Sequence, residues 1–232
     1  MLSVTVIIPA LNEAGNIGKL VQDVRSIAPL EVIVVDNNST DTTAEEARAA
    51  GAKVVTAPQR GYGYACAAGI SAAQSADVLV FMDGDYSFSP ADLPSLLSPI
   101  LEDQADMVLG SRALGLMESG AMPPHQRFGN WMVSRLMNTL YRLSITDLGP
   151  FRAIRRQLLN ELDMQEMTYG WPTEMIVKAA RGGARIVEVP VSYKSRRFGI
   201  SKVSGTVRGT ILAAWFILGV TFRYAFTLRI RP

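Results

Sequence analysis

Asp77-Val78-Leu79-Val80-Phe81-Met82-Asp83-Gly84-Asp85 is an apolar run that ends in two carboxylates. The stretch 77–82 reads as a buried strand, so Asp83 and Asp85 emerge at its C-terminal edge. In an open α/β sheet that edge is where ligands bind. Two carboxylates separated by one small residue suit a divalent cation that also holds phosphate oxygens, the usual way magnesium is bound. The pattern points to chemistry on a nucleotide diphosphate.

Strands and helices alternate on either side of this run. Residues 4–8 form a β-branched strand that stops at Pro9, and a helix opens at Asn12 or Glu13, with Ile17, Leu20, Val21, Val24 and Ile27 at helical spacing. Further strands are read at 31–35, 53–56 and 106–109. Helices are read at 60–74, 90–101, 127–143 and 171–181, with a short one capped by Thr40-Asp41 and ended by Gly51. Such alternation means βαβ units: an α/β fold with a Rossmann-like, mostly parallel central sheet flanked by helices. Residues 113–124, rich in Gly, Met and Pro, read as a mobile loop. Residues 185–193 read as an extended pair broken at Pro190, and 196–205 as a basic, glycine-containing loop before a C-terminal helix. Gly61-Tyr62-Gly63 lacks the spacing of a phosphate loop and reads as close helix–sheet packing.

With 232 residues, 48% hydrophobic and 19% charged, the chain buries a real core. One cysteine, Cys66, excludes an internal disulfide and fits a reducing compartment; one histidine, His125, argues against a histidine-based zinc site. The net charge of +2 conceals an asymmetry: residues 1–180 carry −7 and residues 181–232 carry +9. A basic tail on an acidic body suits an anionic partner such as phosphates or a lipid surface. Nucleic acid ranks last, because no aromatic-basic interleaving accompanies the charge. The opening residues enter a strand at once and read as no signal peptide. The apolar stretch 210–226 contains Gly219, Thr221 and Arg223 and falls short of the ~20 apolar residues of a span. It reads first as an interfacial helix.

Three loops fall on strand ends: Pro9-Ala10-Leu11-Asn12-Glu13, Asp36-Asn37-Asn38-Ser39-Thr40-Asp41, and Asp83-Gly84-Asp85. Adjacent parallel strands would gather them, the first two offering acceptors for a base and a ribose. Taken singly, Asn12, Asp36 and Asp41 are as well explained as caps of helices and turns.

Together these three motifs resemble those of family-2 glycosyltransferases with the GT-A fold. Downstream, Gly110-Ser111-Arg112, the stretch from Thr146 to Arg152, and the stretch from Arg196 to Lys202 resemble the dolichol-phosphate mannosyltransferase branch of polyprenyl-phosphate sugar synthases. The resemblance implies a glycosyltransferase domain over 1–205 and an apolar, basic, amphipathic helix over 206–232. It implies that Pro9, Leu11, Glu13 and Asp36 line the base and ribose pocket, with Gly84 beside the diphosphate. Asp83 and Asp85 would hold Mg2+ or Mn2+, and Arg196 and Lys202 would close over the diphosphate. Arg112 and Arg127 would address the sugar and the acceptor phosphate, with Asp85 the third catalytic residue. Leu11, Asn37 and Gly84 depart from residues common in the branch, Gly84 only mildly; Leu11 and Asn37 leave GDP and UDP both open.

The function implied is inverting transfer of mannose or glucose from a nucleotide diphosphate sugar to a polyprenyl or dolichyl phosphate, by an enzyme peripheral to the cytoplasmic face of the membrane. A phosphate acceptor needs no strong base; a soluble hydroxyl acceptor would, and Asp147 or Glu174 would supply it. A nucleotide-sugar-binding subunit without catalysis is the rival from another class.

Overall fold

Five of the seven residues of the first strand are buried, and this anchors the architecture. The computed structural model describes residues 2–198 and 207–225. The elements run β1 (Val4–Ala10), α1 (Ile17–Ile27), β2 (Glu31–Asp36), α2 (Thr43–Ala49), β3 (Lys53–Thr56), α3 (Tyr62–Ala72), β4 (Val78–Phe81), a 3-10 turn at Pro90–Asp92, α4 (Leu93–Leu101), β5 (Met107–Ser111), α5 (Pro124–Tyr141), β6 (Arg152–Arg155), α6 (Arg156–Glu161), α7 (Trp171–Gly182), β7 (Ile186–Pro190) and α8 (Val207–Ala225). The strands form one sheet in the order β3-β2-β1-β4-β6-β5-β7. Only β6 runs antiparallel to its neighbours β4 and β5. The α/β reading with a mostly parallel sheet holds.

Both faces of the sheet are covered, which is why its strands read as unbroken apolar runs. On one face Val6 and Ile8 pack with Leu20, Val21 and Val24 of α1 and Leu96 and Ile100 of α4. On the other, Ile7, Val35 and Phe81 pack with Cys66 of α3 and Trp171 and Met175 of α7. The single thiol is a buried core residue.

Several boundaries differ from the sequence reading, each for a local reason. β1 continues through Pro9 to Ala10. Ile7 O accepts from Met82 N on the β4 side, so Pro9, two residues on, also turns its nitrogen toward β4. The ladder with β4 ends at the pair Ile7 and Phe81, and the missing N–H costs no ladder bond there. Helix α1 opens at Ile17, not at Asn12 or Glu13. Asn12 (φ 52) and Gly15 (φ 80) are left-handed, and Asn16 and Ile17 both donate to Glu13 O in a turn. Helix α6 has no counterpart in the sequence reading; it is six residues long with only Leu158 and Leu159 apolar, too little to show a period.

The loop 113–124 is irregular, as its composition suggests, and it is pinned at Leu116 and Glu118. Tyr193 N donates to Leu116 O, Glu118 N donates to Tyr193 O, and Ser195 N donates to Glu118 Oε2. Gly115 lies so close to the Val191 backbone that no side chain fits there. Helix α8 docks on α5 and α7: Tyr141 Oη donates to Thr221 O, Tyr224 Oη donates to Glu174 Oε1 (2.7 Å), and Val220 packs on Gly170.

Glycines set the approach of α3. Those at 61 and 63 press on the backbone of Glu166 and Met167 and not on the sheet, which corrects the packing expected for Gly61-Tyr62-Gly63. Contact with the sheet falls to Gly69, where an added Cβ would overlap Ile7 Cγ2 and stand 3.0 Å from Val35 Cγ2. Overpacking a core typically costs about 1–3 kcal/mol. Gly69→Val is therefore expected to lower the unfolding free energy by about that amount, measured by urea denaturation; an unchanged midpoint would contradict this packing.

Candidate active site

Because β2, β1 and β4 are parallel neighbours, the loops that follow them lie side by side. The first two are stitched together. Asn12 N donates to Ser39 Oγ (3.0 Å), Thr40 N to Asn12 Oδ1 (2.8 Å), Glu13 N to Thr43 Oγ1 (2.8 Å) and Ala14 N to Asp41 Oδ2 (3.2 Å). Asn12 and Asp41 thus hold the loops. Asn37 is buried as well: its amide donates to Ala57 O (3.1 Å) and Gln59 O (2.6 Å) and accepts from Gly61 N (2.9 Å). An asparagine so used carries the scaffold and does not read a base. Pro9, Leu11 and Asp36 are half-buried along the same edge, Asp36 accepting from Ser39 N (3.0 Å). Gly84 packs on the end of β1, where an added Cβ would be 3.3 Å from Pro9 O.

Acidic groups meet at this edge. Asp85 Oδ1 accepts from Ser87 N (3.0 Å) and Ser87 Oγ (2.6 Å), and Asp85 Oδ2 accepts from Arg196 Nη2 (3.1 Å). The same guanidinium donates through Nη1 to both oxygens of Glu13, each at 3.2 Å. Burial, then the neighbouring charges of Asp85 and Glu13, push the Asp83 carboxyl up to about 7; Arg112 offsets part of this. The donors are hard oxygens, their excess negative charge already draws in a cation, and they fit Mg2+ or Mn2+. Among the described residues no cluster of three acids, histidines or cysteines could cage a metal, so a cation here would complete its shell with ligand oxygens. Lys202 lies outside the described residues.

Beneath this edge is Arg152, fully buried. It donates through Nη1 to Pro172 O (2.7 Å) and through Nη2 to Gly149 O (2.6 Å). Burial pushes its pKa down to about 10, while the nearby Tyr62, Cys66 and Asp83 act to keep it charged. The sequence reading gave this arginine no role. Its signal was an arginine heading the short apolar strand that pairs with β4.

Arg112 and Asp147 form a fork. Arg112 N (2.7 Å) and Nε (2.8 Å) donate to Asp147 Oδ2, and Nη2 donates to Oδ1 (2.7 Å). Burial would raise the Asp147 carboxyl, but this guanidinium holds it below the usual carboxylate range. Arg112 also lies over the Tyr193 ring at 5.1 Å. Asp147 is therefore an orienting partner and not an available base. Glu174 is equally committed: it is buried and accepts from Gln165 N, Glu166 N, Tyr224 Oη and Lys178 Nζ. Neither carboxylate is free to serve as a general base in this arrangement, contrary to the sequence reading.

On the far side of Arg112 opens a cavity of about 860 Å³ between the 113–122 loop and α5. Arg112, Arg127 and Arg135 line it, with Asn130, Trp131 and Glu118. Leu114, Leu116, Phe128, Trp131 and Met132 on the same loop and helix are exposed. The structure thus gathers Pro9, Leu11, Glu13, Asp36, Asp83, Gly84, Asp85 and Arg196 at one edge, and places Arg112 and Arg127 in the adjoining cavity.

The Asp83 shift fixes the sign of a pH effect. Its folded value, about 7, lies above the ordinary 3.8, so its contribution to stability is fully present below pH ~4 and is lost as pH rises through 7. Asp83→Asn should therefore melt above the parent in EDTA at pH 8 and gain nothing at pH 4. A melting difference that stays flat with pH would refute the assignment.

The glycosyl transferase family 2 model matches residues 5–163. An uncharacterized glycosyltransferase of Mycobacterium tuberculosis is 41% identical over 213 residues, covering 91% of this chain and 94% of the relative. The undecaprenyl-phosphate mannosyltransferase of Micrococcus luteus is 34% identical over 221 residues, covering 90% of each. In fold, the chain is similar to glucosyl-3-phosphoglycerate synthase of M. tuberculosis, solved with Mn2+, UDP and phosphoglyceric acid, at a TM-score of 0.78, 20% identity and coverage of 98% and 80%. The fold is GT-A, as the motifs imply, and the chain belongs to glycosyltransferase family 2 and is an enzyme of that family.

Proposed function

We propose that this enzyme transfers a hexose, with inversion, from a nucleotide diphosphate sugar to a polyprenyl phosphate. The observation that carries the reading is the pairing of two sites: an acidic edge for a metal-bound diphosphate, and beside it an arginine-lined cavity with apolar side chains at its rim. An acceptor with an anionic head and an apolar tail suits both features. The undecaprenyl-phosphate specificity of the M. luteus relative supports it.

Pro9, Leu11 and Asp36 bound the base and ribose, and Glu13 holds the arginine that faces the diphosphate. Gly84 lets Asp83 and Asp85 approach β1. Asp83 and Asp85 hold Mg2+ or Mn2+, the ions bound in solved structures of glucosyl-3-phosphoglycerate synthase. Such an ion neutralises charge on the departing nucleoside diphosphate. Arg196, with Lys202 further along the sequence, adds positive charge there. Arg127 takes the acceptor phosphate, and Arg112, held by Asp147, points its charge between acceptor and donor. With Asp147 and Glu174 both committed elsewhere, a phosphate oxygen, already ionised near neutral pH, is the nucleophile that fits.

The domain spans 1–205, and the basic segment 206–232 lies against the cytoplasmic face of the membrane. The +9 charge of residues 181–232 and the outward Leu212, Trp215 and Phe222 of α8 support that placement. Among the described residues no helix is long and apolar enough to cross a bilayer.

Asp85→Ala is expected to cut turnover by about 10²–10³ or more while circular dichroism stays native; unchanged activity with metal supplied would end the reading. Radiolabelled UDP- and GDP-sugars, incubated with undecaprenyl phosphate and extracted into organic solvent, test the acceptor. Label should enter the organic phase and Arg127→Ala should block it. Transfer only to a soluble acceptor such as phosphoglyceric acid would replace the lipid with a small acid.

A further inference from the structure

Residues 193–198 cross the acidic edge as a strap pinned on both sides. Lys194 N donates to Ser87 O (2.9 Å), and Ser195 N donates to Glu118 Oε2 (2.8 Å) on the cavity wall. On the donor side Asn16 Nδ2 donates to Phe198 O (3.1 Å), and the Phe198 ring lies on Gly15. Between these anchors Arg196 reaches down to Asp85 Oδ2 and Glu13. Its side chain is only 16% exposed. Ser87 already occupies Asp85 Oδ1. A divalent ion that takes Asp85 Oδ2 therefore meets a guanidinium already bonded to the same oxygen, and the two positive charges repel at that distance.

We infer that Arg196 is the counter-ion of Asp85 until donor binds and that the metal binds by exchange with it. This rests on the reading that Asp83 and Asp85 hold the metal. The exchange replaces one cation with another at Asp85, but it takes that carboxylate away from Arg196. A diphosphate supplies the missing partner. Glu13 keeps one side of the guanidinium in place, so a small rotation of the fork moves Nη2 from Asp85 to a phosphate oxygen. Arg196 is thus a positioning residue that ties metal uptake to the presence of nucleotide, and metal without nucleotide is disfavoured. Linkage makes the effect reciprocal: nucleotide raises metal affinity by the factor by which metal raises nucleotide affinity.

The test is Mn2+ binding, read from the free-ion electron paramagnetic resonance signal, for the parent, Arg196→Ala, Arg196→Lys and Asp85→Asn, alone and with saturating UDP or GDP. Melting curves establish that each variant folds. The parent should bind Mn2+ weakly alone and tightly with one nucleotide. Arg196→Ala should bind Mn2+ alone about tenfold more tightly, a coupling of ordinary size, and gain less from nucleotide. Arg196→Lys should fall between them. If Arg196→Ala binds bare Mn2+ no better than the parent, while nucleotide-dependent uptake persists and is lost in Asp85→Asn, the exchange is overturned and the metal site stands. If the parent takes up no Mn2+ with either nucleotide, the metal site and the exchange fall together.

Discussion

Like charges must be reconciled wherever strand ends bring carboxylates together, and here Glu13, Asp83 and Asp85 share one edge of the sheet. The cost shows in Asp83, whose carboxyl is driven to about 7 by burial and by its acidic neighbours. The fold answers with guanidinium groups from three directions. Arg152 lies below, Arg112 beside, and Arg196 above on the strap. Each is held differently, and the difference in holding sets what each can do. Arg152 is fixed by backbone carbonyls and Arg112 by a fork to Asp147, so neither can leave. Arg196 makes its bonds to the acids from a loop, so it is the cation that a ligand can displace.

Much of this edge was legible in the sequence, because β1, β2 and β4 are covered on both faces and show as uninterrupted apolar runs ending in polar loops. The runs located Asp36, Asp83 and Asp85 without any tertiary information. Registers and turns were less legible. Pro9 looks like a strand terminator until the shorter β4 beside it is known. Asn12 marks no helix start once its left-handed backbone is seen. A turn and short strand are legible over 147–154, but the antiparallel direction of β6 is not, since an apolar pair between arginines carries no direction.

Side-chain roles were least legible where a polar residue serves the scaffold. Asn37 sits in a loop that otherwise faces the ligand edge, yet its amide is spent on the 57–61 backbone. Asp147 and Glu174 have the chemistry of a base, and only their partners reveal that they are taken. A buried ion pair such as Arg112 and Asp147 offers little net stability. Its worth here is geometric, since it holds a guanidinium at the junction of the acidic edge and the cavity.

The commitment of both acids bears on the chemistry. An enzyme that must deprotonate a hydroxyl needs a base that is ionised, near the acceptor and free to accept a proton. Asp147 is ionised and near, but four donors occupy it: Arg112 N, Nε and Nη2, and Leu148 N. Protonating it would also strand a buried guanidinium. Apart from Glu118, which accepts from Ser195 N, the charged groups the cavity adds are Arg112, Arg127 and Arg135, which stabilise an anion and accept no proton. A wall of that composition, with exposed leucines and aromatics nearby, supports the acceptor proposed above, one that arrives already charged and carries an apolar remainder.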